Sequence, residues 1–425
     1  MPRPAPSMSP ACDAAPPAYT GTAPGLLNEE LQRRLPLYAG LLLLFFVARL
    51  VLLIGQPDGW LVDEAGRNRL NDFSGVWTAG QLANAGHPEA AYDIALHRDA
   101  QTALRGSAQN DFYPWPYPPL WLPVAAVLAA IPFVPSMLAW LAATGLAFAA
   151  VGRGLAGSWH NSLLLLACPI TLANLYVGQN GFLSAALIGA ALLFLPARPL
   201  LAGVAVGFLA YKPHLGLLFP LILLAIGNWR AVAAASGTIA VWGLATVALY
   251  GLGVWPLFFA QMGHVAAGMQ TSFDLSKLQS LFGFALGLGL PRGVALSLHG
   301  LVALALAVVV TLAWRRPGAY DLKAALLAAT VVLISPYVFS YDLLVLTVAQ
   351  AFLIRHAITR GGLDAIELGV IVLVNAMLAG LTMLPVPLGA VAALAVAGLA
   401  VRRMAAEGFT LTPSTATRPA PAGLA

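Results

Sequence analysis

The chain has 425 residues, 60% hydrophobic and only 9% charged, with a formal net charge of +5. A soluble domain carries about 25% charged residues, so this composition, with a mean hydropathy of +0.81, excludes a soluble enzyme, a disordered chain and a fibrous repeat. The two cysteines, Cys12 in a Pro/Ala-rich stretch and Cys168 in an apolar run, exclude a disulfide scaffold. What remains is an all-α polytopic membrane protein, each span taking roughly 20 apolar residues. The basic residues sit mostly between apolar runs, as positive-inside topology would place them. No basic stripe with interleaved aromatics points to nucleic acid as a partner.

Residues 1–32 are rich in Pro, Ala and Ser and read as a disordered cytoplasmic tail. The first span is expected over Leu35–Ile54, with Arg33 and Arg34 holding its start in the cytoplasm. Residues 55–117 then carry eight of the seventeen acids: Asp58, Asp63, Glu64, Asp72, Glu89, Asp93, Asp99 and Asp111. This is read as a long acidic extracytoplasmic loop, with helical segments at Ser74–Ala85 and Ile94–Gly106 lying on the bilayer surface. It ends in Phe112-Tyr113-Pro114-Trp115-Pro116-Tyr117-Pro118-Pro119, an aromatic cluster suited to a membrane interface.

Twelve further apolar runs follow: 118–132, 136–152, 160–176, 180–196, 199–211, 213–227, 231–251, 294–313, 322–338, 340–354, 365–382 and 384–401. Topology traced from the two ends disagrees by one crossing. Either the run 118–132, short and bearing Pro123 and Pro132 and therefore the weakest, is re-entrant or interfacial, or a neighbouring run is miscounted. About twelve spans with both termini inside are therefore expected. The membrane domain covers 33–403, and 404–425 is a second disordered tail. On this topology the unusual polar residues gather on the external side. Ionisable groups at membrane depth are costly and mark function by default.

Several of these residues can carry chemistry. Asp72, in Asn71-Asp72-Phe73-Ser74, reads as a general base or as the N-cap of the next helix; Asp58, Asp63 and Glu64 compete for the first role. Tyr92 can shape the acceptor side, beside an Asp93 that suits a helix cap. Gln179 and Asn180, in Gly178-Gln179-Asn180-Gly181, suit sugar hydroxyls or a simple helix turn. Lys212, in Tyr211-Lys212-Pro213-His214, either snorkels or meets an anionic partner such as a phosphate; His214 stands beside it. His264 reads as a ligand of the donor phosphate or of a sugar, or as a solvated loop residue. Tyr341 and Asp342, after Ser335-Pro336, are a sugar site or a helix cap. No Asp-x-Asp cluster in the external loops suggests a metal, and no cofactor is expected.

In order and spacing these features resemble glycosyltransferase family 87, the polyprenol-phosphate-sugar-dependent enzymes that include actinobacterial mannosyltransferases. The resemblance spans roughly residues 35–400. It rests on Asp72 and Gly86…Tyr92-Asp93, then Tyr117-Pro118-Pro119, Gly178-Gln179-Asn180, Ala202-Gly203…Lys212-Pro213, Asn228-Trp229-Arg230 and Ser335-Pro336…Tyr341-Asp342. It implies a GT-C-like membrane fold and a hexosyltransferase of the bacterial plasma membrane, working on the extracytoplasmic face. The expected partners are a polyprenyl-phosphate-linked sugar donor, a lipid or envelope glycan acceptor, and membrane lipids. Asp72 matches the base, and Lys212 the donor-phosphate side. The stretch after Ser335-Pro336 departs from the histidine-bearing pattern of the mycobacterial mannosyltransferases. A lipid-linked-sugar transporter or flippase is the competing class; it is expected to place polar residues nearer mid-membrane and to show repeated halves.

Overall fold

The computed structural model describes residues 29–54, 61–106, 112–268, 277–381 and 387–411. Apart from one isolated bridge between Val62 and Asn68, the regular structure among the described residues is helical. The expected termini at 1–28 and 412–425, and the candidate acids Asp58 and Asp111, lie outside the described residues.

The first helix, α1 (Glu29–Ile54), begins six residues before the apolar run. Two amphipathic helices follow in the acidic segment, close to where the sequence places them. α2 (Asp72–Asn84) is capped by Asn71, whose side chain accepts from the Phe73 N–H. α3 (Ile94–Arg105) is capped by Asp93 and ends on Gly106 at φ 78°, a left-handed C-cap that favours glycine.

The run 118–132 forms only a single 3₁₀ turn, Pro119–Trp121, and the eight-residue α4 (Leu122–Ala129). At 1.5 Å per residue α4 is about 12 Å long, well short of the roughly 30 Å hydrocarbon layer. α2 packs across it. A Cβ on Gly80 would stand 2.0 Å from the Ala125 carbonyl oxygen, so only glycine permits this approach. Trp77, Gln81 and Asn84 donate to the carbonyls of Ile131, Ala129 and Ala126. These donors satisfy carbonyls that a helix end otherwise leaves open. Phe73, fully buried against Phe133 at 5.8 Å between ring centroids, anchors the start of α2 over α5 (Phe133–Ala156).

Pro169 divides the run 160–176 into α6 (Trp159–Leu166) and α7 (Ile170–Val177), since proline lacks the N–H and clashes with the preceding turn. A turn with Gly178 at φ 69° leads to α8 (Gly181–Phe194). α9 (Pro199–Phe208) unwinds through a 3₁₀ turn into Lys212, which precedes α10 (Pro213–Gly216) and α11 (Leu218–Ala225). α12 (Trp229–Tyr250) lies against α9. There Gly203 and Gly207 face Ala231 and Thr238 with no room for a Cβ, the small-residue contact by which membrane helices approach closely. α13 (Val254–Gly268), α14 (Leu281–Gly287) and α15 (Arg292–Arg315) follow.

α16 (Tyr320–Ile334) is the centre of the core, buried at every residue from Leu322 to Ile334. α15, α17 (Val345–Thr359) and α19 (Leu388–Ala406) pack around it, and α18 (Ala365–Gly380) lies on α19. The fold runs past the expected boundary at 403. The Glu407 carboxylate meets His356 Nε2 at 2.6 Å, and Phe409 closes over Gly318 and Lys323.

Among the described residues, five helices are each long and apolar enough to cross a bilayer: α5, α12, α15, Ser340–Thr359 and α19. The apolar windows of α12 and α15 are only 11% and 17% buried within the protein. Outward-facing apolar surface on that scale needs lipid around it. The chain is an all-helical membrane protein.

Candidate functional site

The polar residues of five separate segments meet at one cluster. Asp72 is the first helical residue of α2. Because Asn71 does the capping, the Asp72 carboxylate is left free for another partner. The side chain is half-buried, and its Oδ2 accepts from Gln179 Nε2 at 3.2 Å. Desolvation raises its pKa above the usual carboxylate range; the Gln179 hydrogen bond and the positive charges of Lys277 and Lys212 pull the other way. A carboxylate with a raised pKa is a stronger base than an exposed one.

Gln179 and Asn180 are locked by the turn that carries them. Gln179 Oε1 accepts from the Tyr117 hydroxyl at 3.1 Å and from the Asn180 backbone N–H at 3.0 Å. Asn180 Nδ2 donates to the Tyr117 hydroxyl and its Oδ1 accepts from Trp140 Nε1, both at 3.0 Å. Both amides are buried and hold other protein groups in the turn between α7 and α8, the second of the two readings the sequence leaves open. Gly181 is required next to them: a Cβ there would come within 2.4 Å of the Tyr341 carbonyl oxygen. Burial first, then the charges of Asp342 and Asp72, raise the Tyr117 pKa and keep its phenol neutral. Tyr117 stacks on Tyr211 at 6.2 Å, and Trp121 on Tyr211 at 4.5 Å.

Lys212 follows Tyr211 and is 6% exposed. Its ammonium lies 2.5 Å from Asp342 Oδ1 and 4.5 Å from the ring centroid of Tyr341. Asp342 is fully buried. Its second oxygen, Oδ2, accepts from the Phe339 N–H at 3.2 Å, so it serves both as the cap of its 3₁₀ turn and as the partner of Lys212. The His214 side chain is half-buried beside this pair, with Nε2 unpartnered.

Tyr92 stands one layer back. Its hydroxyl donates to the Tyr117 carbonyl at 3.3 Å and its ring meets Phe258 edge-on, so it props the site without lining it. Asp93 is a helix cap only, accepting from the Ala95 and Leu96 N–H groups. Asp63, a rival base, is tied to Arg67 and Arg105. The Arg67 backbone N–H, and after desolvation its guanidinium, set the balance that lowers the Asp63 pKa, the wrong direction for a base. Glu64 is exposed. The His264 side chain lies outside the described residues; its backbone belongs to α13.

Sequence reasoning missed two residues. Asn71 takes the cap that Asp72 was a candidate for, and Lys277 brings a second positive charge to bear on Asp72. The Asn-Asp pair carried a signal for the first. Lys277 lies 205 positions from Asp72 (277 − 72), with no local pattern to join them.

The model for glycosyltransferase family 87 matches residues 115–336, just over half of the chain. The match takes in Tyr117, Gln179, Asn180, Lys212 and Lys277, while Asp72 and Asp342 flank it. No curated protein and no solved structure matches the chain.

Proposed function

Because the chain belongs to glycosyltransferase family 87, we propose that this membrane glycosyltransferase moves a hexose, mannose in the first instance, from a polyprenyl-phosphate donor to a lipid or envelope glycan acceptor. The reaction takes place on the extracytoplasmic face of a bacterial plasma membrane. Asp72 is the general base. The observation that carries this reading is the state of its carboxylate: released from capping by Asn71, gripped on one oxygen by Gln179 and raised in pKa by desolvation.

The acceptor hydroxyl attacks the anomeric carbon as its proton passes to Asp72. The bond from that carbon to the phosphate oxygen breaks, and the electron pair leaves with polyprenyl phosphate. Attack opposite the leaving group inverts the anomeric centre. A cation facing the phosphate stabilises charge that grows as the bond breaks, and both Lys212 and Lys277 act electrostatically on Asp72. The topology that goes with this has about twelve spans, both termini inside, with α2, α3 and α4 together on the external face. The length of α4 and its cover by α2 support counting 118–132 as a non-crossing segment.

The test is transfer by the purified full-length protein in proteoliposomes with radiolabelled polyprenyl-phosphate-mannose. The expected result is release of polyprenyl phosphate and a labelled acceptor. Asp72→Asn lowers the rate by about 10²–10⁴-fold with an unchanged melting temperature. Full activity of Asp72→Asn removes the base assignment, and label that crosses the bilayer with its sugar–phosphate bond intact supports a flippase instead.

A further inference from the structure

We propose that Lys277, and not Lys212, is the cation that receives the phosphate of the lipid-linked substrate. The inference rests on the polyprenyl-phosphate reading above and deepens it.

Lys212 has no charge to spare. It is 6% exposed, 2.5 Å from a carboxylate that is itself 0% exposed, and roofed by the Tyr341 ring. A phosphate that drew Lys212 away would leave Asp342 ionised and buried, with the Phe339 N–H as its one remaining partner. Breaking a buried pair from one side is strongly unfavourable.

Lys277 is in the opposite condition. Its side chain is exposed. Of the two positive charges that bear on Asp72, its effect is the larger. The backbone beneath it is firmly held. Leu278 is fully buried. The Gln279 N–H donates to the Val338 carbonyl at 2.7 Å, Gln279 Oε1 accepts from the Gly389 N–H at 3.1 Å, and Ser280 Oγ donates to the Pro336 carbonyl at 2.5 Å.

These bonds hold Gln279 and Ser280, just after Lys277, against the segment 336–342 that carries Tyr341 and Asp342. That segment in turn abuts the Gly181 turn holding Gln179, and through it Asp72. The cation, the amide and the carboxylate thus belong to one continuous framework.

The chemistry suits an ammonium at such a place. A sugar-phosphate diester carries one negative charge, and the phosphate monoester left after transfer carries close to two. A solvent-reached lysine therefore holds the product and the late transition state more tightly than the donor. The same ammonium could attract any anionic headgroup, so the test must separate substrate from bulk lipid.

The full-length protein in neutral detergent is titrated with undecaprenyl phosphate, with uncharged undecaprenol and with phosphatidylglycerol. Polyprenyl phosphate carries no sugar, so the identity of the hexose does not enter. Lys277→Ala is expected to weaken undecaprenyl phosphate binding by about tenfold or more, the scale of one charge-assisted contact, and to leave undecaprenol binding unchanged. Lys277→Arg restores the phosphate affinity. Melting temperatures stay at the wild-type value because the position is exposed. Wild-type phosphate affinity in Lys277→Ala overturns the proposal, as does an equal loss of phosphatidylglycerol binding, which makes the site a general headgroup contact. If the wild-type protein itself does not bind undecaprenyl phosphate, the polyprenyl-phosphate reading falls and the proposal with it.

Discussion

Gln179→Glu is the sharpest test of the base. The substitution is isosteric. Oε1 can still accept from the Tyr117 hydroxyl and the Asn180 N–H, and only the donor facing Asp72 is lost. In its place stands a second carboxylate oxygen, 3.2 Å from Asp72 Oδ2. Two unit charges at that distance repel by about 5 kcal/mol at an effective dielectric of about 20, equivalent to nearly four pKa units. Asp72 is half-buried, and solvent screening reduces the shift to about two units. The two carboxyl groups then share one proton over a wide range and titrate as a pair. The assay is the pH dependence of kcat/KM for sugar transfer. Its acid limb reports the ionisation of the base in the free enzyme and should move up by about two units, with the plateau recovered at high pH. An acid limb within about half a unit of wild type would refute the argument, because it would mean that the ionisation governing the rate is not beside Gln179.

Two further predictions concern stability. Lys212→Met leaves the Asp342 charge buried without its counter-ion, and should cost about 3–5 kcal/mol in denaturant unfolding. Adding Asp342→Asn removes the orphan charge, keeps an acceptor for the Phe339 N–H and should recover most of that loss; a double variant no more stable than the single one would show that the pair is not what holds the segment. Desolvation lowers the pKa of His97 to about 4 from 6.5, so on acidification the unfolded chain takes up this proton first. The group's contribution is complete above about pH 6.5 and is lost as pH falls towards 4, by about 3 kcal/mol in all. Melting temperatures measured at pH 7 and pH 4.5 should therefore fall further for wild type than for His97→Leu, and equal falls would remove the assignment.

The sequence read well where physics is local. α2 and α3 form close to the segments expected at Ser74–Ala85 and Ile94–Gly106, and α3 has the expected Asp93 cap. The turn between α7 and α8 follows from Gly178 and Gly181. The run 118–132 stands out as the weakest span by its shortness and its prolines, and α4 within it has only eight residues. What could not be read was pairing. Hydropathy marks Lys212 as unusual but cannot find a carboxylate 130 residues downstream. Nor can it tell an amide that touches a sugar from one that holds a carboxylate, because the two differ only in what lies across the fold. The break in the run 160–176 likewise depends on how Pro169 interrupts a helix whose average hydropathy is unaffected, whereas the break at Pro213 is already expected between the runs 199–211 and 213–227.

The ion pair has a consequence for biosynthesis. Lys212 leaves the ribosome 130 residues ahead of Asp342, an interval on the order of 10 s at translation rates of about 5–20 residues per second. During that time the Lys212 ammonium lacks this carboxylate. The contact between the Tyr211–Lys212 segment and the 340–344 turn can therefore close only after the turn itself has been made.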